Sequence, residues 1–297
     1  MNKRQWGIIE SEDDKIFYKV TGTGAPLLLI AGGGGDGDLW LPLADLLSDE
    51  FKVITYDRRA NARSTMNNPD YFNISQQSRD AIAILDALGE SSAYILGNSS
   101  GAVIALDIAT TYPNRVKTAI IHEAPISILN YESAKWLRFF RSCYNRSFKF
   151  GGASLAATKF MFGIDVAAFD MIKAQFKAKK YLKSEPLYFE EKRIPSRLAS
   201  EYLIKQELLP ITNYNPDIET LRNNNCNIVV ACGDYAITKS TWLGDVSRNL
   251  AQLLSCELVV FPGHHGSFMD KPKDWARDIK YILSNEYLDI KSNNNTL

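Results

Sequence analysis

The pentapeptide Gly97-Asn98-Ser99-Ser100-Gly101 constrains this chain more than any other stretch, because it sets a serine between two glycines where a short apolar segment gives way to a helical one. Ala93-Tyr94-Ile95-Leu96 reads as a buried strand, and Ala102 to Ala109 carries apolar residues at helical spacing. A GxSxG sequence in a strand, turn and helix context is the nucleophile elbow. So tight a turn is expected to hold Ser99 in strained backbone geometry, with Oγ lifted above the sheet edge beside a helix N-terminus whose amides favour developing negative charge. A glycine-rich turn with solvated serines is the plainer alternative, and the apolar flanks argue against it.

With 297 residues, 45% hydrophobic and 23% charged, the chain can bury a large core as one α/β domain with an insertion. Lys+Arg 34 against Asp+Glu 34 leaves no net field to attract nucleic acid or an anionic membrane, so neither is expected as a partner. Cys143, Cys226, Cys232 and Cys256 lie far apart with no CxxC spacing, which fits free thiols in a reducing compartment better than a zinc site or a disulfide framework. The start, Met1-Asn2-Lys3-Arg4-Gln5-Trp6, runs into Glu10, Glu12, Asp13 and Asp14, so no apolar run of signal-peptide length is present and a cytoplasmic location is expected. No window approaches the roughly 20 apolar residues of a membrane span. The Asn-rich end, 287–297, is expected to be a disordered tail.

Candidate strands are Trp6 to Glu10, Lys15 to Thr21, Leu27 to Ile30, Val53 to Tyr56, Ala93 to Leu96, Val116 to Ile121, Ile228 to Cys232 and Glu257 to Phe261. The first two, joined by polar Ser11-Glu12-Asp13-Asp14, form a hairpin; the later, uniformly apolar ones suit a sheet covered on both faces. This predicts an α/β fold with a mostly parallel, eight-stranded central sheet flanked by helices. Between Ile126 and about Asn215 the strand signal vanishes, and helix formers mix with Trp136, Phe139, Phe140, Phe160, Met161, Phe162, Phe169, Met171 and Phe176. Residues 128–215 are therefore expected to be a helical cap, inserted into a core built from 1–127 and 216–286, with its apolar side chains roofing the serine.

A serine hydroxyl needs a neighbouring base, most often histidine. Three histidines exist: His122 ends the sixth candidate strand, while His264 and His265 follow the eighth in Phe261-Pro262-Gly263-His264-His265-Gly266. A loop after the last strand reaches across the sheet's C-terminal edge, so the base is His264 or His265. The imidazole in turn needs a carboxylate. Glu123, after the sixth strand, and Asp234, after the seventh, both sit at that edge, and either satisfies the requirement. For the oxyanion, one donor is the backbone N–H of Ser100, and the second is assigned to Gly33 in the glycine-rich turn Ala31-Gly32-Gly33-Gly34-Gly35-Asp36-Gly37. That turn lacks the Lys-Ser/Thr ending of a phosphate-binding loop and a GxGxxG register.

Taken together, residues 5 to 285 resemble the α/β-hydrolase fold family. Asp57-Arg58-Arg59-Ala60-Asn61-Ala62-Arg63-Ser64 looks like its DxRGxGxS segment, with Ala60 and Ala62 in place of glycines. Ala31-Gly32 stands where the family's His-Gly motif lies, and Gly33 at its donor position. Pro262-Gly263-His264-His265 is similar to a ProGlyGlyHis loop, a resemblance that assigns the base to His265. The usual acid position three residues beyond Gly233 holds Ala236. His122-Glu123-Ala124-Pro125 resembles the His-Glu-x-Pro segment of zearalenone-type lactone hydrolases, as do the elbow's double serine and the serine-to-acid separation, which favours Glu123 over Asp234. The resemblance implies a serine hydrolase of a small, apolar ester or lactone, needing no metal or organic cofactor. The rival expectations are a small-molecule receptor on the same scaffold with little turnover, or a perhydrolase, acyltransferase or carbon–carbon hydrolase using the same serine.

Overall fold

Two antiparallel strands open the fold: β1 (Gln5–Ser11) and β2 (Asp14–Thr21) pair Ile9 with Ile16 across a turn in which Glu12 takes φ 52°. β2 lies antiparallel to β4 (Phe51–Tyr56), and from there the sheet is parallel through β3 (Ala25–Ile30), β5 (Ala93–Asn98), β6 (Val116–His122), β7 (Asn227–Gly233) and β8 (Leu258–Phe261). The strand order is β1-β2-β4-β3-β5-β6-β7-β8. All eight expected strands are present, several longer than the apolar runs alone indicated: β5 continues to Asn98 and β6 to His122. This computed structural model describes residues 4–183, 193–224 and 226–284; the expected tail, the first three residues and 184–192 of the expected cap lie outside the described residues.

Alternation along each strand feeds two cores. Leu27, Leu29, Leu96, Ile120 and Val229 pack toward α1 (Leu41–Leu47) and α12 (Pro272–Ile282), where Trp275 and Ile279 are fully buried. Leu28, Ile30, Ile95, Ile121 and Val230 pack toward α2 (Ile74–Ala87), α3 (Ser100–Thr111) and α11 (Trp242–Leu254). Both faces of the central strands are thus covered, which is why their sequences lack a polar alternation.

The turn after β4 is a charged knot. Arg59 donates to Asp80 at 2.6 and 2.9 Å, to Asp14 at 2.6 Å and to the carbonyl of Ser11 at 2.8 Å, while Asp57 accepts from the amides of Gly37 and Arg63, each at 3.0 Å. Ala60 and Ala62 take φ 65° and 46°, so the two alanines adopt the left-handed conformation that glycines usually supply.

Between β6 and β7 the chain forms α4 (Ser133–Arg146), α5 (Gly152–Gly163), α6 (Ala168–Leu182), α7 (Ser196–Tyr202), a π-helical turn (Leu203–Glu207), α8 (Leu208–Thr212) and α9 (Ile218–Asn223). Its aromatics divide by task. Trp136 stacks on Trp242 of α11 at 4.6 Å between centroids, Phe140 packs against the same ring at a tilt with centroids 5.3 Å apart, and Trp242 Nε1 donates to the carbonyl of Ile164 at 2.8 Å. These contacts fasten the helical segment to the sheet layer, whereas Phe162, Phe169 and Phe176 are exposed to solvent.

Candidate active site

β5 delivers Ser99 at φ 57°, ψ −122°, a conformation that costs about 1–3 kcal/mol and persists only where the surroundings enforce it. Enforcement comes from close packing. A Cβ on Gly97 would lie 2.1 Å from the carbonyl oxygen of Gly101, and one on Gly101 would lie 2.2 Å from that of Ile30, so neither position admits a larger residue. Ser99 N donates to the carbonyl of His122 at 3.0 Å, and α3 begins at the next residue.

One strand over, Glu123 follows β6 at φ 50° and donates its own amide to Ala231 of β7 at 3.0 Å. Its Oε1 accepts from Gly233 N at 2.8 Å, and its Oε2 accepts from Nδ1 of His265. The Glu123 and His265 side chains are 2% and 7% exposed, so this contact is shielded from water. Burial alone would raise the carboxyl, but the adjacent His122 and His265 rings and the Gly233 amide outweigh it and hold Glu123 down at about 2.

The other two sequence candidates lie elsewhere. His264 Nδ1 accepts from Gly266 N at 3.1 Å, and its Nε2 faces Asp270 at 3.7 Å. Asp234 begins α10 (Asp234–Thr238), and its Oδ1 accepts from Gly263 N at 2.8 Å, bracing the loop that carries both histidines. Glu123, not Asp234, therefore meets His265, and Ala236 is buried.

Ser99, Ser100, Gly32, Gly33 and His265 line one cavity of about 410 Å3. Its walls are mostly apolar. Phe160, Met161 and Met171, three of the side chains flagged in the sequence, line it, together with Ile164, Leu203 and Ile211, which the sequence did not single out. Asp36 and Arg193 also line it and pair at 2.5 Å. Gly32 lies so close to the elbow that a Cβ there would sit 2.9 Å from Ser99 Cβ.

Two buried pairs escaped the sequence reading. His122, fully buried between Trp275 and Phe261, donates from Nδ1 to Asn98 Oδ1 at 2.7 Å, and burial pushes its pKa down to about 4, so it is neutral near pH 7 and takes up charge only as the pH falls toward 4. Arg58 donates from Nη2 to the carbonyl of Gly32 and to Glu207 Oε1, both at 2.7 Å. Asn98 and Arg58 stand inside recognisable motifs, which was a usable signal; nothing in the sequence marks Glu207.

Among the described residues, His122, Glu123 and His265 form the grouping whose ligand-type atoms lie within 4.8 Å of one another. A metal ion there would have to displace the bonds of His265 to Glu123 and of His122 to Asn98. The arrangement as it stands orients an imidazole.

Comparison with known proteins agrees with this architecture. A family model described as alpha/beta hydrolase fold matches residues 25–272. The chain is 27% identical over 286 residues to the uncharacterized hydrolase YraK of Bacillus subtilis, covering 94% of this chain and 96% of that one. In structure it is similar to a thermophilic esterase from Thermogutta terrifontis, with a TM-score of 0.69 and 20% identity over 94% of this chain and 98% of the other. It is similar also to the enol-lactonase from Burkholderia xenovorans LB400, with a TM-score of 0.68 and 16% identity over 93% and 99% of the two chains.

Proposed function

We propose that this chain, which belongs to the α/β-hydrolase fold family, is a serine hydrolase that cleaves a carboxylic ester or lactone through an acyl-enzyme on Ser99. One observation carries the reading: a buried imidazole, His265, is held at Nδ1 by Glu123 and lines the same cavity as a serine on a strained elbow. With Nδ1 committed as a donor to a carboxylate, the neutral ring has its acceptor lone pair on the other nitrogen, Nε2.

In the proposed reaction Ser99 Oγ attacks the carbonyl carbon as His265 Nε2 takes its proton. Glu123 fixes the ring's tautomer and stabilises the imidazolium that results. The backbone amides of Gly33 and Ser100 bind the oxyanion; His265 then protonates the leaving alkoxide, and the acyl-enzyme forms. Water, deprotonated by the same ring, reverses these steps and releases the acid. In a lactone the leaving alkoxide and the acid belong to one product.

The apolar walls favour an apolar substrate, and the names of the esterase and the enol-lactonase of similar fold are consistent with that class. The helical segment 128–215 acts in this reading as a lid over Ser99, keeping bulk water from the carbonyl. An alkyl or aryl fluorophosphonate tests the assignment. Wild-type protein should take up one adduct, located on Ser99 by peptide mass, and Ser99→Ala should take up none while melting normally; labelling that survives in Ser99→Ala refutes the proposal.

A further inference from the structure

We infer that Arg58 is a positioning residue for the oxyanion site, acting through the peptide that joins Gly32 to Gly33, with Glu207 as the buried counter-charge that holds its guanidinium in place. This rests on the serine-hydrolase reading above, because it gives Arg58 a role toward the Gly33 amide on which that reading depends.

The argument begins with peptide geometry. The carbonyl of Gly32 and the N–H of Gly33 belong to one planar trans unit and point in opposite directions. Arg58 Nη2 donates to the Gly32 oxygen at 2.7 Å, and Gly35 N donates to the same oxygen at 3.0 Å. Two donors therefore pin the oxygen on one side, and the Gly33 N–H is turned to the other. In a run of glycines the neighbouring dihedrals offer little resistance to a peptide flip, so an external clamp is what keeps the amide aimed. Arg58 closes the loop a second time through its own amide, which donates to Gly35 O at 2.8 Å. A charged donor on the carbonyl also polarises the amide and strengthens its N–H as a donor.

The energetics point the same way. The side chains of Arg58 and Glu207 are both 0% exposed and meet at 2.7 Å. An ion pair buried this completely stabilises a fold little, and an apolar pair of similar volume often serves stability better. Its position at the Gly32 carbonyl gives it a function that an apolar pair could not supply. Arg59, the next residue, is occupied separately by Asp80 and Asp14, so Arg58 is not part of that knot.

Glu207 closes the π-helical turn Leu203–Glu207, and Leu203 opens it. Leu203 packs against the residue that carries the proposed donor: a Cβ on Gly33 would lie 3.0 Å from Leu203 Cδ1. A single turn of the helical segment thus supplies both the counter-charge for the clamp and an apolar contact on the residue whose amide the clamp aims. π-turns of this kind recur at functional sites.

The test is the double variant Arg58→Met with Glu207→Leu, which leaves no unpaired buried charge. Two quantities are read: kcat/KM for a chromogenic ester, and the inhibition constant of an aryl trifluoromethyl ketone, whose hemiketal with Ser99 carries the oxyanion. Both should worsen in parallel by about 10- to 100-fold, with KM moving less than about threefold, because only an oxyanion-bearing species needs the aimed amide. A folded double variant whose ketone affinity stays within about twofold of wild type overturns the role of Arg58 and leaves the serine-hydrolase reading intact. A wild-type protein that forms no hemiketal on Ser99 overturns both. If the double variant fails to fold, a crystal structure of the wild-type hemiketal decides: Gly33 N on the hemiketal oxygen with Arg58 still on Gly32 O is expected, and a Gly32 carbonyl detached from Arg58 overturns the inference.

Discussion

Nδ1 of His265 donates to one oxygen of Glu123 while the amide of Gly233 donates to the other, so the carboxylate bridges the histidine loop and the end of β7. A glutamate held at both oxygens has little freedom to rotate. It therefore orients the ring rather than merely neutralising it.

Replacing Glu123 with Gln keeps the shape and lowers the acceptor's charge, and its amide can turn a donor toward His265. The proposed mechanism then predicts a loss in kcat/KM of roughly 10² to 10⁴. Asp234→Asn, whose carboxylate braces Gly263 N at 2.8 Å, should cost less than about tenfold. Steady-state kinetics on the two purified variants separates the roles, and the reverse ranking would make Asp234 the acid.

Acid stability carries a signature of His122. An unfolded imidazole binds its proton near 6.5, and the buried ring only near 4, so between those values the unfolded chain holds more protons. Stability contributed by the neutral ring should fall as pH drops from 6.5 toward 4, by roughly 3 kcal/mol in all. Glu123, lowered from 4.5 to about 2, adds a further loss only below 4.5. His122→Gln should remove the first loss and shrink the second, because the His122 ring is one of the groups that hold Glu123 down while the His265 and Gly233 bonds remain. Urea midpoints measured from pH 7 to 3.5 check this, and parallel curves for the two proteins would contradict it.

Space around the elbow discriminates between adjacent glycines. A methyl at Gly32 meets Ser99 Cβ at 2.9 Å and the carbonyl of Asn98 at 3.1 Å, neither of which can move. A methyl at Gly33 meets only the tip of Leu203. Gly32→Ala should therefore lower kcat by more than about 10², whereas Gly33→Ala retains its N–H and should lose less than about tenfold. The comparison is one of turnover number at matched melting temperature.

Arg59 sits at 4% exposure among Asp80, Asp14 and the carbonyl of Ser11. Arg59→Met leaves two buried carboxylates without their partner, and the expected destabilisation is about 3–5 kcal/mol. Chemical denaturation measures it directly; a change below 1 kcal/mol would mean that the carboxylates find protons or other donors.

The sheet was legible because buried parallel strands are runs of Leu, Ile and Val with turn residues between them, and Leu27 to Ile30 and Ile228 to Cys232 have no other plausible state. The elbow was legible because its glycines leave a local trace. What each aromatic of the helical segment faces was not: Phe160 lines the cavity and Phe162, two residues on, is exposed, a difference set by the packing of α5 against its neighbours rather than by residue type. Strand position alone left the partner of His265 divided between Glu123 and Asp234, because both follow strands ending at the same edge, and it was the resemblance of His122-Glu123-Ala124-Pro125 to a His-Glu-x-Pro segment that favoured Glu123. Only the backbone past β6, with Glu123 at φ 50°, decides which carboxylate turns inward. Arg58 and Glu207 lie 149 residues apart, and no local pattern links a charge after β4 to one in a π-turn.

The bond from Ser99 N to the carbonyl of His122, at 3.0 Å, ties the elbow to the residue that immediately precedes Glu123. Unzipping the top of β5 from β6 would release the proposed attacking group and its proposed ring-holder in a single event. Partial damage at this seam should therefore yield a mixture of fully competent and fully dead molecules, not a population of uniformly sluggish ones.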